Sequence, residues 1–284
     1  IIREKPDFLV AHLIISLPLF LFSIFNFKTK LIIRISGTPK LNIIRRYFWS
    51  LFSKNIHKIT CPTYSTYKQL TELKIFPEDK IEILFDPVLS VNEIVFKKKE
   101  PIDEKFEKSE YIIGIGRLTK QKNFKILIKA FKKISYKEKS TKLLILGEGE
   151  KRPELEKLIK DLNLEEKVFL LGYKKNIFNY LYNAKCFICS SLYEDPGFVI
   201  LEAAFLNKIV IAADSQTGPS EILDNSERGF LFLNNNHEDL EKKYFEFLNS
   251  NKKKIFYKLN NLKKYSKQYT MFNHYKNIKR ILTN

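Results

Sequence analysis

The chain has 284 residues, enough for one large domain or two modest ones. With 44% hydrophobic and 29% charged residues it has the balance of a globular protein, not of a disordered or membrane-embedded one. Its formal charge of +18 raises anionic partners, but the absence of zinc-ligand spacing, helix-turn-helix punctuation or an RNP-like aromatic pattern argues against nucleic acid.

The lysines are spread along the chain, so most of the charge reads as compositional, with some real attraction for anionic lipid or phosphorylated substrates. Three cysteines give no disulfide framework. Cys186 and Cys189 lie in one apolar run without a second ligand pair, which reads as core packing in a reducing cytosol, not as zinc or redox chemistry. The sequence begins at Ile1 without methionine and enters a strand almost at once, and is read as lacking N-terminal sequence. No secretory signal is visible. Leu13–Phe27 is very apolar, but it is roughly 15 residues long where a span needs roughly 20, and Pro18 interrupts it. A buried or interfacial helix is expected there.

In chain order, Phe8–Ala11 reads as a strand and Leu13–Phe25 as a helix. Lys30–Ile35 is a second strand, followed by a turn at Ser36-Gly37-Thr38-Pro39. Leu41–Phe52 reads as a helix with Phe48 and Trp49 inward. Ile56–Thr60 is a strand, Thr63 opens a helix, and Ile81–Phe85 is a strand ending in Asp86-Pro87. This alternation implies a parallel sheet covered on both faces. Lys97–Glu110, charged and poor in large apolar groups, reads as a linker. Alternation then restarts, with strands at Tyr111–Ile115, Lys142–Leu146, Val168–Leu171, Cys186–Cys189, Ile209–Ala213 and Gly229–Leu233. Helices lie between them, and Asn235-x-x-Glu238 has the form of a capping box. The expected domains are 1–96, a linker 97–110, 111–255, and a helical tail 256–284 that packs back on the first domain.

The most informative stretch is Ser190–Phe205, SSLYEDPGFVILEAAF. Between Cys186 and Glu227 the only basic residue is Lys208. Asp195-Pro196-Gly197 reads as a helix start, with Asp195 as N-cap and Pro196 at the first helical position. The helix that follows is apolar on nearly every side except at Glu202, whose burial calls for a polar partner. The amides of Gly197, Phe198 and Val199 would open an anion site. Two glutamates with seven residues between them are weak evidence alone. Ligands of such sheets bind beyond the carboxyl ends of the strands, where three other loops are informative. Gly116-Arg117, with Lys122 five residues on from Arg117, offers two cations that can clamp a diphosphate. Gly172-Tyr173 fits a base contact and an ordinary turn equally well. Ser215–Glu221 is another helix start.

In order, IGIGRLTKQKNFKILIKAF, LLILGEGE, FLLGY, SSLYEDPGFVILEAA and a Gly-Pro-Ser-Glu turn resemble the retaining glycosyltransferases of family 4, over about Tyr111–Phe232. KPDFLVAHL and IEILFDPV carry a weaker likeness over Lys5–Val88. The resemblance implies an α/β GT-B fold of two Rossmann-like domains with parallel sheets, the first incomplete. It implies a metal-independent enzyme without cofactor, moving a sugar from a nucleotide-diphosphate donor, UDP by resemblance, to a glycan or lipid-linked acceptor in cell-surface synthesis. Its setting would be cytoplasmic, peripheral to the inner membrane face. By the same resemblance Arg117 and Lys122 match the diphosphate pair, Glu202 the ribose ligand, and Glu194 the glutamate near the donor sugar. Gly197, Phe198 and Val199 match the loop meeting sugar and phosphate. Gly116 and Tyr173 join the donor site, and Ser36 and Gly37 stand on the acceptor side. The chain departs from the family pattern in having no histidine in the Arg34–Gly37 loop, and Asp86-Pro87 where asparagine-glycine is usual; His12 is read as structural. An epimerase or hydrolase of the same fold, or a non-catalytic binding protein, are the alternatives.

Overall fold

A computed structural model describes residues 3–12, 16–25, 27–37, 42–215 and 218–283. The chain divides into two compact units, 1–87 with 272–284, and 88–271.

In the first unit, strands β1 (Phe8–His12), β2 (Lys30–Arg34), β3 (Lys58–Cys61) and β4 (Ile81–Ile83) form a sheet in the order β1-β2-β3-β4, every neighbour parallel. Parallel neighbours need crossovers, supplied by helices Ser16–Ile24, Ile43–Phe52 and Tyr64–Glu72. Thr63 caps the last of these, its hydroxyl accepting from the Thr66 amide at 3.1 Å. The core forms around Ile33, Ile59 and Leu70, with Trp49 fully buried and edge-on to Phe76; Phe48 is only half-buried. On the other side Ile281, from the terminal helix Met271–Thr283, packs with Ile32 and Leu84, so the end of the expected tail belongs to this unit. Buried Arg34, at the end of β2, donates to the Leu84 carbonyl at 2.6 Å and forms an ion pair with Asp86. The turn expected at 36–39 is described only for Ser36 and Gly37; Thr38, Pro39, Leu41 and residues 13–15 and 26 of the apolar stretch lie outside the described residues.

In the second unit, β5 (Tyr111–Ile115), β6 (Lys142–Leu146), β7 (Val168–Leu170), β8 (Cys186–Cys189), β9 (Val210–Asp214) and β10 (Phe230–Leu233) form a parallel sheet in the order β10-β9-β8-β5-β6-β7. This is the doubly wound order 3-2-1-4-5-6, in which the direction of strand addition reverses between the first and fourth strands. Here those are β5 and β8, with Ile112 opposite Cys186. Continuous apolar strands suit a sheet buried on both faces. The helices Phe124–Lys137, Arg152–Asp161 and His237–Asn249 share one core with Ile112, Ile145 and Ile188. Both cysteines of this sheet are buried and free, their thiols pushed up by burial.

The segment 97–110 is not a linker. Its two apolar groups, Ile102 and Phe106, are buried, and Phe106 packs edge-on to Phe169 of β7. Asn176 and Asn179 donate to the Lys97 and Pro101 carbonyls at 2.9 and 2.8 Å. The units therefore part at Pro87 and Val88, not near residue 97. The cap of the late helix also shifts by one, because Asn236, not Asn235, accepts from the Glu238 and Asp239 amides.

Candidate functional site

The reversal between β5 and β8 leaves a crevice at the carboxyl ends of the two strands, since the following connections leave in opposite directions. Two loops enter it, Gly116–Asn123 after β5 and Ser190–Gly197 after β8. They are tied together by backbone and side chain. Leu192 N–H donates to the Gln121 carbonyl at 2.8 Å, Gln121 Nε2 to the Tyr193 carbonyl at 3.0 Å, and Ser190 Oγ to the Lys122 carbonyl at 2.8 Å.

These bonds bring two of the expected site residues into contact. Lys122 Nζ forms an ion pair with Glu194 Oε1, which also accepts from Ser191 Oγ at 2.6 Å. Glu194 is 9% exposed, so its charge stands on this pair and not on solvent. Arg117 on the same loop is exposed. Of the two cations expected to clamp a diphosphate, Lys122 is neutralised, and Arg117 has no acidic partner among the described residues.

The loops after β6 and β7 close against the first. Leu118 N–H donates to the Glu148 carbonyl at 2.9 Å, and Gly147 N–H to the Gly172 carbonyl at 2.8 Å. A Cβ on Gly147 would stand 1.9 Å from the Gly116 carbonyl oxygen, so this approach is open only to glycine. Tyr173 follows Gly172 and projects into solvent, with no hydrogen bond among the described residues.

The helix after β8 runs from Phe198 to Phe205 and its N-cap is Gly197, at φ 99°. That left-handed backbone separates Asp195 and Pro196 from the first turn, so the expected Asp195 cap and the proline at the first helical position are not found. The amides of Gly197, Phe198 and Val199 still head the helix. Ile200, Leu201, Ala203 and Ala204 are buried, whereas Phe198 is exposed and Glu202 half-buried. Among the described residues nothing donates to the Glu202 carboxylate. Burial, with the Glu93 charge added, raises its pKa from the ordinary 4.5 to about 7. The loop after β9 meets this one closely, because a Cβ on Gly218 would stand 2.2 Å from the Pro196 carbonyl oxygen. Gln216 and Thr217 of that helix start lie outside the described residues.

Sequence reasoning overlooked Ser191, Gln121 and Glu93. Ser191 had a local signal, a hydroxyl pair placed just after an apolar strand, where buried polar groups must find partners. The other two act through tertiary contacts that leave no local pattern. Ser36 and Gly37 lie at the end of β2 in the first unit, Ser36 exposed and Gly37 at φ 79°. Among the described residues no group of three or more His, Cys, Asp or Glu is placed to hold a metal ion, and no helix is long and apolar enough to cross a membrane.

A doubly wound domain with cations and helix-start amides on the loops at its switch point has the makings of a site for a phosphorylated nucleotide. Comparison with known proteins is specific. The profile of the family described as "Glycosyl transferases group 1" matches residues 95–269, more than half of the chain. The chain belongs to the group 1 glycosyltransferases and has their GT-B fold, an α/β architecture with two parallel sheets. It is 33% identical over 250 residues to an uncharacterized glycosyltransferase of Methanocaldococcus jannaschii, covering 78% of this chain and 59% of that protein. It is 30% identical over 242 residues to a Campylobacter jejuni enzyme, N-acetylgalactosamine-N,N'-diacetylbacillosaminyl-diphospho-undecaprenol 4-alpha-N-acetylgalactosaminyltransferase, covering 82% of this chain and 64% of that one. It thus spans less than two thirds of the length of either relative. The crystal structure of Anabaena HepE in complex with UDP superposes with a TM-score of 0.75 at 16% identity, over 96% of this chain and 78% of that one, a likeness of fold.

Proposed function

We propose that the protein transfers a sugar, with retention, from a nucleotide-diphosphate sugar to a lipid-linked or polysaccharide acceptor, UDP being the nucleotide carried. The observation that carries this reading is the part-buried Lys122–Glu194 pair at the switch point of the six-stranded sheet, beside Arg117, which has no acidic partner among the described residues. Arg117 and Lys122 take the two phosphates, with the amides of Gly197, Phe198 and Val199 completing the anion site; Gly116 lets the donor approach the backbone. Glu202 accepts from the ribose hydroxyls, and Tyr173 lies along the base. Glu194 faces the donor sugar. The leaving diphosphate gains charge as the glycosidic bond breaks, and fixed cations and amides stabilise that charge without reorganising. On this reading no metal or other cofactor takes part. Lys122 has a double duty, neutralising Glu194 when the site is empty and sharing its charge with the diphosphate when it is filled.

On the acceptor side, Ser36 and Gly37 stand at the carboxyl end of β2 in the first unit. The lipid-linked class is supported by the diphospho-undecaprenol in the name of the Campylobacter relative, and UDP by the ligand in the Anabaena structure. The setting that follows is the cytoplasmic face of a membrane, with no part for nucleic acid.

Calorimetric titration of UDP and of GDP into the chain and into Glu202→Ala tests the donor site. Saturable UDP binding that disappears in the variant, with both proteins melting cooperatively, is the expected result. A folded chain that binds neither nucleotide would overturn the reading.

A further inference from the structure

A cavity of about 350 Å³ opens in the first unit at the amino ends of β2, β3 and β4, the end of the sheet away from Ser36 and Gly37. It lies within the size range of small-molecule sites, about 300–1,000 Å³. Part of its wall is apolar, for Phe22, Leu31 and Ile56 are buried there and Phe27 is half-buried. Lys30, Lys54, His57 and Lys80 also line it, and among the described residues that do so none is acidic. These four come from separate places in the chain. Lys30 opens β2, Lys54 follows the helix Ile43–Phe52, and His57 and Lys80 stand just before β3 and β4. Parallel pairing sets them at one end of the sheet, with the His57 N–H donating to the Leu31 carbonyl at 2.8 Å.

Their charge is poorly compensated. Lys80 Nζ donates to the Lys54 and Ile56 carbonyls at 2.7 and 2.6 Å, which occupies two of its three hydrogens and cancels no charge. Lys30 Nζ lies 5.4 Å from the centroid of the Phe8 ring, and neither Lys30 nor Lys54 has an acidic partner among the described residues. Lys58, beside His57 in sequence, differs in being paired with Glu82 at 2.9 Å. His57 supplies a second, independent observation. Its Nε2 is buried and has no hydrogen-bond partner among the described residues, a condition few buried polar atoms in native proteins show. Burial, then the charges of Lys30, Lys58 and Lys80, lower its pKa and hold the ring neutral.

A cavity with apolar walls, three lysines, a partnerless imidazole nitrogen and no carboxylate lacks an anion. We infer that it binds a small phosphomonoester, the dianion meeting Lys30, Lys54 and the remaining hydrogen of Lys80, and the organic group covering the apolar wall. Two negative charges offset more of the lysine charge than a single carboxylate can. An organic group also removes from water the apolar wall that inorganic phosphate would leave wet. The cavity contains none of the residues proposed for sugar transfer, and its test uses no sugar donor. It therefore stands or falls separately from the transfer reading.

The test is calorimetric titration of phenyl phosphate and of inorganic phosphate into the whole chain at neutral pH and low salt. Two variants with unchanged melting curves are compared. Lys30→Ala/Lys54→Ala alters two exposed side chains of the cavity. Lys252→Ala/Lys253→Ala removes the same charge from an exposed helix start of the other unit. Phenyl phosphate should saturate one site and bind about tenfold or more tighter than inorganic phosphate. Its affinity should fall about tenfold or more in the cavity variant and stay at the wild-type value in the other. The inference is overturned if phenyl phosphate does not saturate, or if inorganic phosphate binds as tightly. It is also overturned if the cavity variant binds as well as wild type, or if both variants lose affinity alike.

Discussion

Lys122 and Glu194 lie 72 residues apart in sequence and meet as an ion pair across the switch point, with Ser191 donating to the same carboxylate oxygen. Both side chains are largely withdrawn from water, at 18% and 11% exposure. Removing Lys122 takes the cation from a largely buried carboxylate, at a cost of up to about 3 kcal/mol, the value for breaking a buried pair. Lys122→Ala should therefore lower the chain's stability by up to that much and also weaken nucleotide binding. Glu194→Gln keeps an acceptor for Ser191 and frees a flexible lysine, so it should cost less stability while depressing transfer more than binding. Urea denaturation of both variants, with turnover of a donor sugar, checks the order. Equal stability of Lys122→Ala and wild type would show that the pair is not formed in solution.

Arg117 isolates the other half of the argument. It sits on the same loop, exposed and without an acidic partner among the described residues, so truncating it strands nothing. Arg117→Ala should leave the melting temperature within the scatter of ordinary surface substitutions, about 0.5 kcal/mol. Its effect should appear in diphosphate affinity, a loss of about tenfold to a hundredfold for a charge-assisted bond. Uridine, which has no phosphate, should bind wild type and variant alike. A variant as tight as wild type toward UDP would remove Arg117 from the donor site.

Two glycines hold the loops at approaches no other residue allows. Gly147 at φ 140° brings its Cα against the Gly116 carbonyl, and Gly218 at φ 66° does the same against Pro196. Alanine at either position forces backbone apart as well as occupying strained φ, a destabilisation of about 2 kcal/mol or more. The consequences should differ in kind. Gly147→Ala displaces the loop that carries Arg117, and Gly218→Ala the loop between Glu194 and Gly197. Each should lose nucleotide affinity beyond what its fall in stability accounts for, read by titration well below the melting point. Full affinity in a folded Gly218→Ala chain would contradict the close approach.

Much of this arrangement was legible in the sequence, for reasons that differ by element. β5, β6 and β8 matched residue for residue, because a strand buried on both faces is a short apolar run with polar or glycine ends. Apolar spacing predicts an amphipathic helix over Asn123–Ile134, and the structure has it from Phe124 to Lys137. The segment 97–110 misled because only Ile102 and Phe106 anchor it, and two buried side chains among so many charges leave no periodic pattern. The Asp195-Pro196 cap misled because the left-handed Gly197 intervenes, a backbone choice that composition does not reveal. Arg117, Lys122, Glu194 and Glu202 were named from a motif, and the structure brings Lys122 to Glu194. That Ser191 joins them, and that the Glu93 charge adds to the rise in the Glu202 pKa, depended on the approach of segments far apart in sequence.

Glu202 gives the site a pH dependence whose sign can be worked out. Burial, reinforced by the Glu93 charge, holds its pKa at about 7 in the folded chain against an ordinary 4.5. Glu93 itself is paired to Lys97 at 2.5 Å, so the repulsion is the smaller cause. Between these two values the folded state binds more protons than the unfolded one, and stability falls as pH rises through the window and is level above it. At 1.36 kcal/mol per pKa unit the fall is of the order of 3 kcal/mol, and Glu202→Gln should abolish it, leaving the empty variant more stable than wild type above pH 7. Ligand binding should run the opposite way. If Glu202 binds the ribose as proposed, hydroxyls donating to this carboxylate favour its charged form, so affinity should rise from pH 6 to pH 8 with release of a proton. The probe is a UDP-sugar, whose esterified phosphates do not titrate in this range. Titration in buffers of different ionisation enthalpy counts the proton directly. Glu202→Gln should bind more weakly at pH 8 with no proton released, and an unchanged proton count in that variant would place the titrating group elsewhere.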